Sequence, residues 1–239
     1  MLWFREAHRC PLCGSTKFKD YRGRANAACA RCNAKERHRL LGLALPRVLP
    51  SNLAAPLVHM APEAGIASFL SGRFGDLYRP VDFCPEEYSN LSVAVQKFDL
   101  AKPLEYFAEN SVEVVLHSHV AEHIFAPVGD FIGELNKTIR PGGLHIFQVP
   151  IRPGLFDEDM TPNLTATDRE IRFGQHDHVR WFGDEDLQEH LLDHFVGFDR
   201  ITLDKIVRHD ELARAGLRSN ILTGSTSDTV FIFRKRSTV

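Results

Sequence analysis

A chain of 239 residues that is 44% apolar and 10% aromatic has room for one sizeable α/β domain plus a small appendage, and its lack of a polar low-complexity tract excludes extensive disorder. No run of about 18 apolar residues occurs, and the start MLWFREAHRCPLC lacks an apolar stretch before a small-residue cleavage site, so neither membrane span nor signal peptide is read and the cytoplasm is the expected location. The net charge of −2 conceals an asymmetry, because residues 1–48 carry eleven Lys/Arg against three Asp/Glu (+8) and the remainder eighteen against twenty-eight (−10); the basic head suits docking on its own acidic body and capture of an external anion equally.

The chain begins with a cysteine head. Cys10-x2-Cys13 is followed, fifteen residues later, by Cys29-x2-Cys32. Zinc takes four thiolates tetrahedrally, and each short Cys-x2-Cys turn supplies a pair, with the stretch between acting as a hairpin that brings the pairs together. Disulfides are disfavoured in a cytoplasmic chain and a redox dithiol needs only one pair. Zinc in a structural role is therefore expected, since four protein ligands leave no position for water. Directly afterwards, KERHRLLGLALPRVLP reads as a helix with Leu40, Leu41, Leu43 and Leu45 inward, Lys35, Arg37 and Arg39 outward, and Pro46 and Pro50 ending it. The expected organisation is a zinc-ribbon-like module over 1–35, a connecting helix and linker over 36–54, and the main domain over 55–239. Cys84 stands apart and reads as a core thiol.

From residue 55 short apolar runs alternate with helical stretches, the pattern of a largely parallel sheet with helices on both faces. The predicted strands are 57–60, 77–83, 94–100, 112–118 and 144–150, followed by 198–207 and 229–236. A helix is predicted over 120–140, with RPGG as its stop signal. Ligands of such sheets bind at the carboxyl ends of the strands, so the residues just beyond each strand matter most. After the first come Glu63 and Gly65, where a glycine lets the backbone approach a ligand; a Gly-x-Gly-x-Gly turn counted from Gly65 has Ala67 and Phe69 in its other places. Asp82 closes the second strand, seventeen residues beyond Gly65, close to the spacing at which an acidic residue takes ribose hydroxyls in nucleotide-binding βαβ units. Asp99 follows the third strand, and Ser118, His119, Glu122 and His123 the fourth.

Taken together, VHMAPEAG, VDFCPEEY, KFDLAKPL, SVEVVLHSHVAEHI and LNKTIRPGGLHIFQVP make the main domain resemble the class I S-adenosylmethionine-dependent methyltransferases. The resemblance implies a Rossmann-like sheet, mostly parallel, with its last strand inserted antiparallel. It implies S-adenosyl-L-methionine as cofactor, with Glu63 and Gly65 near its methionine part, Asp82 on the ribose, Asp99 and Leu100 beside the adenine, and Ser118 and His119 near the methyl-bearing sulfur. GQHDHVRWFGDEDL, residues 174–187, is similar to a segment of bacterial relatives that carry the same kind of cysteine head.

Methyl transfer asks for alignment of a nucleophile with the sulfonium carbon and removal of any proton the nucleophile carries. Histidine takes such a proton near neutral pH, which makes His119 the candidate catalytic residue. His123 reads as a cap or packing group of the next helix, and His176, Asp177, His178 and Arg180 as a substrate lid. His119-x-x-Glu122-His123 also fits the H-x-x-E-H pattern of zinc proteases, but it follows a buried strand and no third ligand stands out. The acceptor stays open between a small molecule and RNA, and nothing in the pattern sets an oligomeric state. A reading from another class is a non-catalytic nucleic-acid-binding zinc protein on a degenerate methyltransferase fold. The basic head favours it; the acidic body and the lack of an aromatic-rich basic run oppose it.

Overall fold

The computed structural model describes residues 8–222 and 225–237. The outer ends of the expected 1–35 and 55–239 units, at 1–7 and 238–239, lie outside the described residues. The cysteine pairs are joined by an antiparallel hairpin, β1 (Phe18–Tyr21) and β2 (Arg24–Cys29), whose turn puts Arg22 at φ 47° and Gly23 at φ 74°. A two-residue turn that matches strand twist needs both residues in this left-handed region. Next comes α1 (Glu36–Val48), with Leu40, Leu41, Ala44 and Leu45 buried at helical spacing. Two expectations for this helix are corrected. Pro46 lies inside it, in the last turn, where the missing N–H removes one bond and Leu49 N–H still closes on Leu45 O at 3.0 Å. Arg39 points inward and is 1% exposed, because its guanidinium fastens the head to the body.

The main sheet is built from β3 (Leu57–Met60), α2 (Ala64–Phe74), β4 (Tyr78–Asp82), β5 (Gln96–Lys97), β6 (Val112–Ser118), α3 (Val128–Thr138) and β7 (Ile139–Gln148). An insertion follows with β8 (Ile151–Arg152), β9 (Asp157–Glu158), α4 (Ala166–Phe173) and β10 (Arg180–Gly183), its strands ordered β8-β10-β9. The chain returns through α5 (Leu187–His190), β11 (Phe198–Ile201), α6 (His209–Arg214) and β12 (Phe231–Lys235). The seven strands run in the order β11-β12-β7-β6-β3-β4-β5, with β12 antiparallel to both β7 and β11 and parallel pairing from β7 to β5. Strand order reverses between β3 and β6, which opens a crevice at their carboxyl ends. Among the described residues no helix is long and apolar enough to cross a membrane.

Helices cover both faces. Leu40, Leu41 and Leu45 of α1 join Ile66 and Leu70 of α2 in one core, while Phe131, Ile132 and Leu135 of α3 join Val58, Phe147 and Phe231 in the other. Alternate residues of a strand point to opposite faces, so Val114 and Leu116 enter the first core and Val115 the second. The helix expected to connect the two units is thus itself a covering layer of the large sheet.

Several boundaries differ from expectation. The stretch 94–100 pairs only at Gln96 and Lys97, at the sheet edge. The helix predicted over 120–140 is confined to Val128–Thr138, preceded by Pro127 and by one tight turn at Ala121–His123, because proline disfavours helical geometry in the residue before it. The helix ends at Thr138, two residues before the RPGG run, which itself lies within the start of β7, where pairing with β6 is irregular. A Cβ at Gly143 would stand 2.6 Å from Glu113 O, so only glycine allows the strands to come this close.

Candidate functional site

Cys10 Sγ lies 3.6 Å from Cys32 Sγ and Cys13 Sγ 3.5 Å from Cys29 Sγ, and all four sulfurs are within 4.8 Å of one another. Tetrahedral zinc with bonds of about 2.3 Å separates its sulfurs by about 3.8 Å, whereas a disulfide draws them to about 2.05 Å. The four thiols are set out to hold one ion. Each knuckle closes on the residue after its second cysteine, Gly14 at φ 72° and Asn33 at φ 57°; Gly14 N–H donates to Cys10 O at 2.8 Å and Asn33 N–H to Cys29 O at 3.0 Å. Cys84 is outside this cluster, and it is no core thiol: it is half-buried in the loop after β4, with its N–H on Asp82 Oδ1.

Arg39 clamps head and body together. Its Nε donates to Ala215 O at 2.9 Å and Nη2 to Gly216 O at 3.2 Å in the body, while Nη1 donates to Ala27 O at 2.8 Å and Ala34 O at 3.3 Å in the head. Leu12 packs where α1 and α2 carry glycines: a Cβ at Gly42 would stand 2.9 Å from Leu12 Cγ, and one at Gly65 would stand 3.3 Å from Leu12 Cδ1 and 3.5 Å from Cys32 Sγ. The close approach that Gly65 permits here is that of the cysteine head. Docking therefore claims part of the basic head, through Arg39.

The strand ends converge as the sequence order implies, with one change of register. Ala61, directly after β3, takes φ 50°, while Ala67 and Phe69 lie within α2. The turn that glycines would ease thus spans 61–65 and not 65–69. Glu63 stands in it, with Oε1 3.2 Å from His38 Nε2 of α1 and Oε2 3.2 Å from His59 Nε2 of β3. Tyr78 hydroxyl lies 2.9 Å from His59 Nδ1 and continues the chain of contacts. Burial raises the Glu63 carboxyl, but the two histidines outweigh it and hold the group well below the usual carboxylate range. Asp82 accepts Cys84 N–H on Oδ1 at 2.8 Å and the Tyr88 hydroxyl on Oδ2 at 2.9 Å. Asp99 accepts Ala101 N–H at 2.9 Å beside buried Leu100. Phe83, next to Asp82, is 59% exposed, with the Lys97 ammonium over its ring. Ser118 donates to Gln148 Oε1 at 3.0 Å. His119 takes φ 55°; its Nε2 is 2.9 Å from Ser227 O and its Nδ1 3.3 Å from Glu122 Oε1.

A cavity of about 440 Å³ opens beyond β6 and β7. The loop after β6 contributes His119, Glu122 and His123, the insertion contributes Gln175, His178 and Trp181, the head contributes Tyr21, Arg22, Arg24 and Lys35, and the start of α1 contributes Glu36 and Arg37. Tyr21, Arg22 and Arg24 escaped the sequence reading because nothing local in a hairpin of a zinc module shows that it faces a distant strand end, whereas Lys35 and Arg37 are outward-facing as expected. The four expected lid residues separate into distinct roles. His178 is buried in the cavity lining, and exposed Asp177 reaches back to His123 at 3.1 Å. His176 is exposed and does not line the cavity. Arg180 is 0% exposed, with Nε 2.7 Å from Glu158 Oε1, Nη2 2.7 Å from Ala126 O and Nη1 on Ala121 O, so it organises the loop after β6 from behind.

No family model and no curated protein matches the sequence. Among solved structures, an S-adenosylmethionine-dependent methyltransferase from Mesorhizobium loti is 13% identical, covering 80% of this chain and 95% of its own, at a TM-score of 0.51. The YcgJ protein from Bacillus subtilis is 14% identical over 84% of this chain and 100% of its own, at 0.51. Phosphoethanolamine N-methyltransferase 2 from Haemonchus contortus, solved with phosphomonomethylethanolamine and S-adenosylhomocysteine, is 14% identical over 83% of this chain and 52% of its own, at 0.50. At such identities the likeness is one of fold. The chain has the Rossmann-like fold of solved S-adenosylmethionine-dependent methyltransferases, with a four-cysteine cluster at its N-terminal side.

Proposed function

We propose that this chain transfers a methyl group from S-adenosylmethionine to a small anionic acceptor, while a structural zinc ion held by Cys10, Cys13, Cys29 and Cys32 keeps the head in place. The observation that carries the reading is Asp82, a carboxylate at the end of the strand beside β3, one strand from the point where strand order reverses. Its two oxygens suit the two vicinal hydroxyls of a ribose, and Tyr88 would leave Oδ2 as the sugar arrives. In this arrangement Glu63 and Gly65 lie toward the methionine part, Asp99 and Leu100 flank the adenine, and the exposed Phe83 ring offers it a stacking face. Ser118 and His119 stand near the methyl-bearing sulfur. His119, with Nε2 committed to Ser227 O, has Nδ1 left to take a proton, and Glu122 beside it would stabilise the resulting cation.

The acceptor class rests on the cavity. Its volume suits a small molecule, and Arg22, Lys35 and Arg37, with Arg24 paired to Glu36, supply charge that would position a phosphate or carboxylate beside the acidic Asp228. Positioning of this kind is most of what methyl transfer requires. Calorimetric titration of the full chain with S-adenosylmethionine and S-adenosylhomocysteine tests the reading. Binding that Asp82→Ala weakens supports it, and no binding of either compound ends it. Binding without transfer to any acceptor, joined to an RNA affinity that falls steeply with salt, would favour the non-catalytic nucleic-acid reading instead.

A further inference from the structure

We propose that Glu122, His123 and His178 form a second metal site, for a divalent first-row transition ion, in the cavity between the loop after β6 and the insertion. One ligating atom from each of the three lies within 4.8 Å of the others, and all three residues line the cavity. Glu122 is 0% exposed, and neither carboxylate oxygen has a hydrogen-bond partner among the described residues; His119 Nδ1 stands 3.3 Å from Oε1 as an ion-pair contact. A fully buried carboxylate with only the long contact to His119 is costly, and buried charges are as a rule paired or bound to metal. A cation supplies what the protein does not.

The imidazoles are prepared as metal-binding histidines are, with the second ring nitrogen of each held by an oxygen. His123 Nδ1 lies 3.1 Å from Asp177 Oδ2, and His178 Nδ1 lies 3.2 Å from Phe173 O. Both contacts place the proton on Nδ1 and leave the lone pair of Nε2 for an ion. The two ligand-bearing segments are tied together, since Val179 N–H donates to Glu122 O at 2.9 Å and Arg180 bonds Ala121 O and Ala126 O. A site on a braced backbone keeps its geometry. The H-x-x-E-H pattern is thereby used differently from a protease helix. His119 and His123 do not share a helical turn of one α-helix, because Ala121–His123 is a single tight turn at the end of β6, and the third ligand comes from the insertion.

Two imidazoles and one carboxylate suit zinc, iron(II) or manganese(II), and three protein ligands leave at least one position open to the cavity. An acceptor with an ionised oxygen could complete the shell. The site stands independently of methyl transfer, because metal uptake is measured without cofactor, so failure of one is distinguishable from failure of the other.

The test uses the full chain with its cysteine site loaded with zinc, freed of loosely held metal by dialysis against a chelator, then titrated with cobalt(II). One cobalt per chain is expected beyond the zinc, with visible d–d absorption and without the intense thiolate-to-cobalt bands of a cysteine site. His178→Ala and Glu122→Gln should lose that equivalent. Asp177→Asn, at an exposed residue that only orients His123, should weaken it about 10- to 100-fold. A wild-type chain that binds no ion beyond its cysteine-site zinc in excess cobalt(II), zinc, iron(II) or manganese(II) would overturn the proposal, as would a second ion retained by both His178→Ala and Asp177→Asn. The wild-type stoichiometry decides even if Glu122→Gln fails to fold.

Discussion

His38 sets its Nε2 3.2 Å from Oε1 of Glu63, so the helix that leaves the cysteine head touches the turn after β3 on which a cofactor would rest. Cys32 and Leu12 press on the same turn through Gly65. The head and the turn after β3 are therefore one structural unit, and loosening the head should be felt at that turn. Chelation of the zinc, or Cys29→Ser, is expected to weaken S-adenosylhomocysteine binding about tenfold or more, the scale of one lost hydrogen bond to a charged group. His38→Ala should reproduce much of that loss with zinc content unchanged. Titration calorimetry alongside metal analysis checks both; cofactor affinity indifferent to zinc removal would mean that the contact is passive.

Arg39 carries the docking itself. Arg39→Ala takes the guanidinium donor from the carbonyls of Ala27, Ala215 and Gly216, and from that of Ala34, which keeps Cys29 N–H at 2.9 Å. Each unsatisfied buried group costs about 1–3 kcal/mol, partly relieved where water enters, so a loss of about 3 kcal/mol or more is expected. Arg39→Lys should recover little, because an ammonium cannot reach carbonyls on both sides as a planar guanidinium does. The shift of the denaturant midpoint measures this.

How far these features could be read from sequence depends on how local their causes are. Strands 57–60 and 112–118 match to the residue, because near-continuous apolar runs bounded by turns have one reading in a sheet covered on both faces. Edge strand β5 shrank to two residues, since little packing rewards pairing there, and the strands of the insertion are too short to carry a period. Arg39 was invisible because its partners are backbone carbonyls remote in sequence. The placement of Asp82, Asp99 and Ser118 at or just beyond strand ends was legible since the strand pattern was. His178 meets Glu122 and His123 only through the fold, so the sequence showed two of the three.

Asp82 has a competitor built in. Removing the carboxylate with Asp82→Ala should weaken S-adenosylhomocysteine binding tenfold to a hundredfold or more, from a charged hydrogen bond of roughly 1.5–3 kcal/mol. Tyr88→Phe should do the opposite or nothing, because its hydroxyl takes one acceptor site of Oδ2 at 2.9 Å and competes with a ribose hydroxyl for that oxygen. A loss of affinity in Tyr88→Phe comparable with that in Asp82→Ala would show instead that Tyr88 holds the carboxylate in its binding orientation. Calorimetry on the two variants separates these outcomes.

The interior of the sheet predicts how stability depends on pH. His117 Nε2 lies 3.0 Å from His145 Nε2, and His145 Nδ1 lies 2.7 Å from Asn136 Oδ1, an arrangement satisfied when His145 donates to Asn136 and accepts from His117. Both rings are 0% exposed. Burial pushes His117 down to about 4, with Glu122 opposing the fall and His59 adding to it, and burial together with His117 holds His145 well below the ordinary histidine range. In the unfolded chain both titrate near pH 6.5. Below that pH the unfolded state therefore binds protons that the folded state refuses, and stability must fall as the pH drops from about 6.5 toward 4. For His117 alone the full loss across that window is roughly 3 kcal/mol. His117→Leu/His145→Leu should remove most of this slope; its absolute stability changes as Asn136 loses its partner, but the slope reports the titration. Chemical denaturation at a series of pH values between 8 and 4 gives both curves, and parallel curves for wild type and double variant would show that the two histidines are not the groups that titrate.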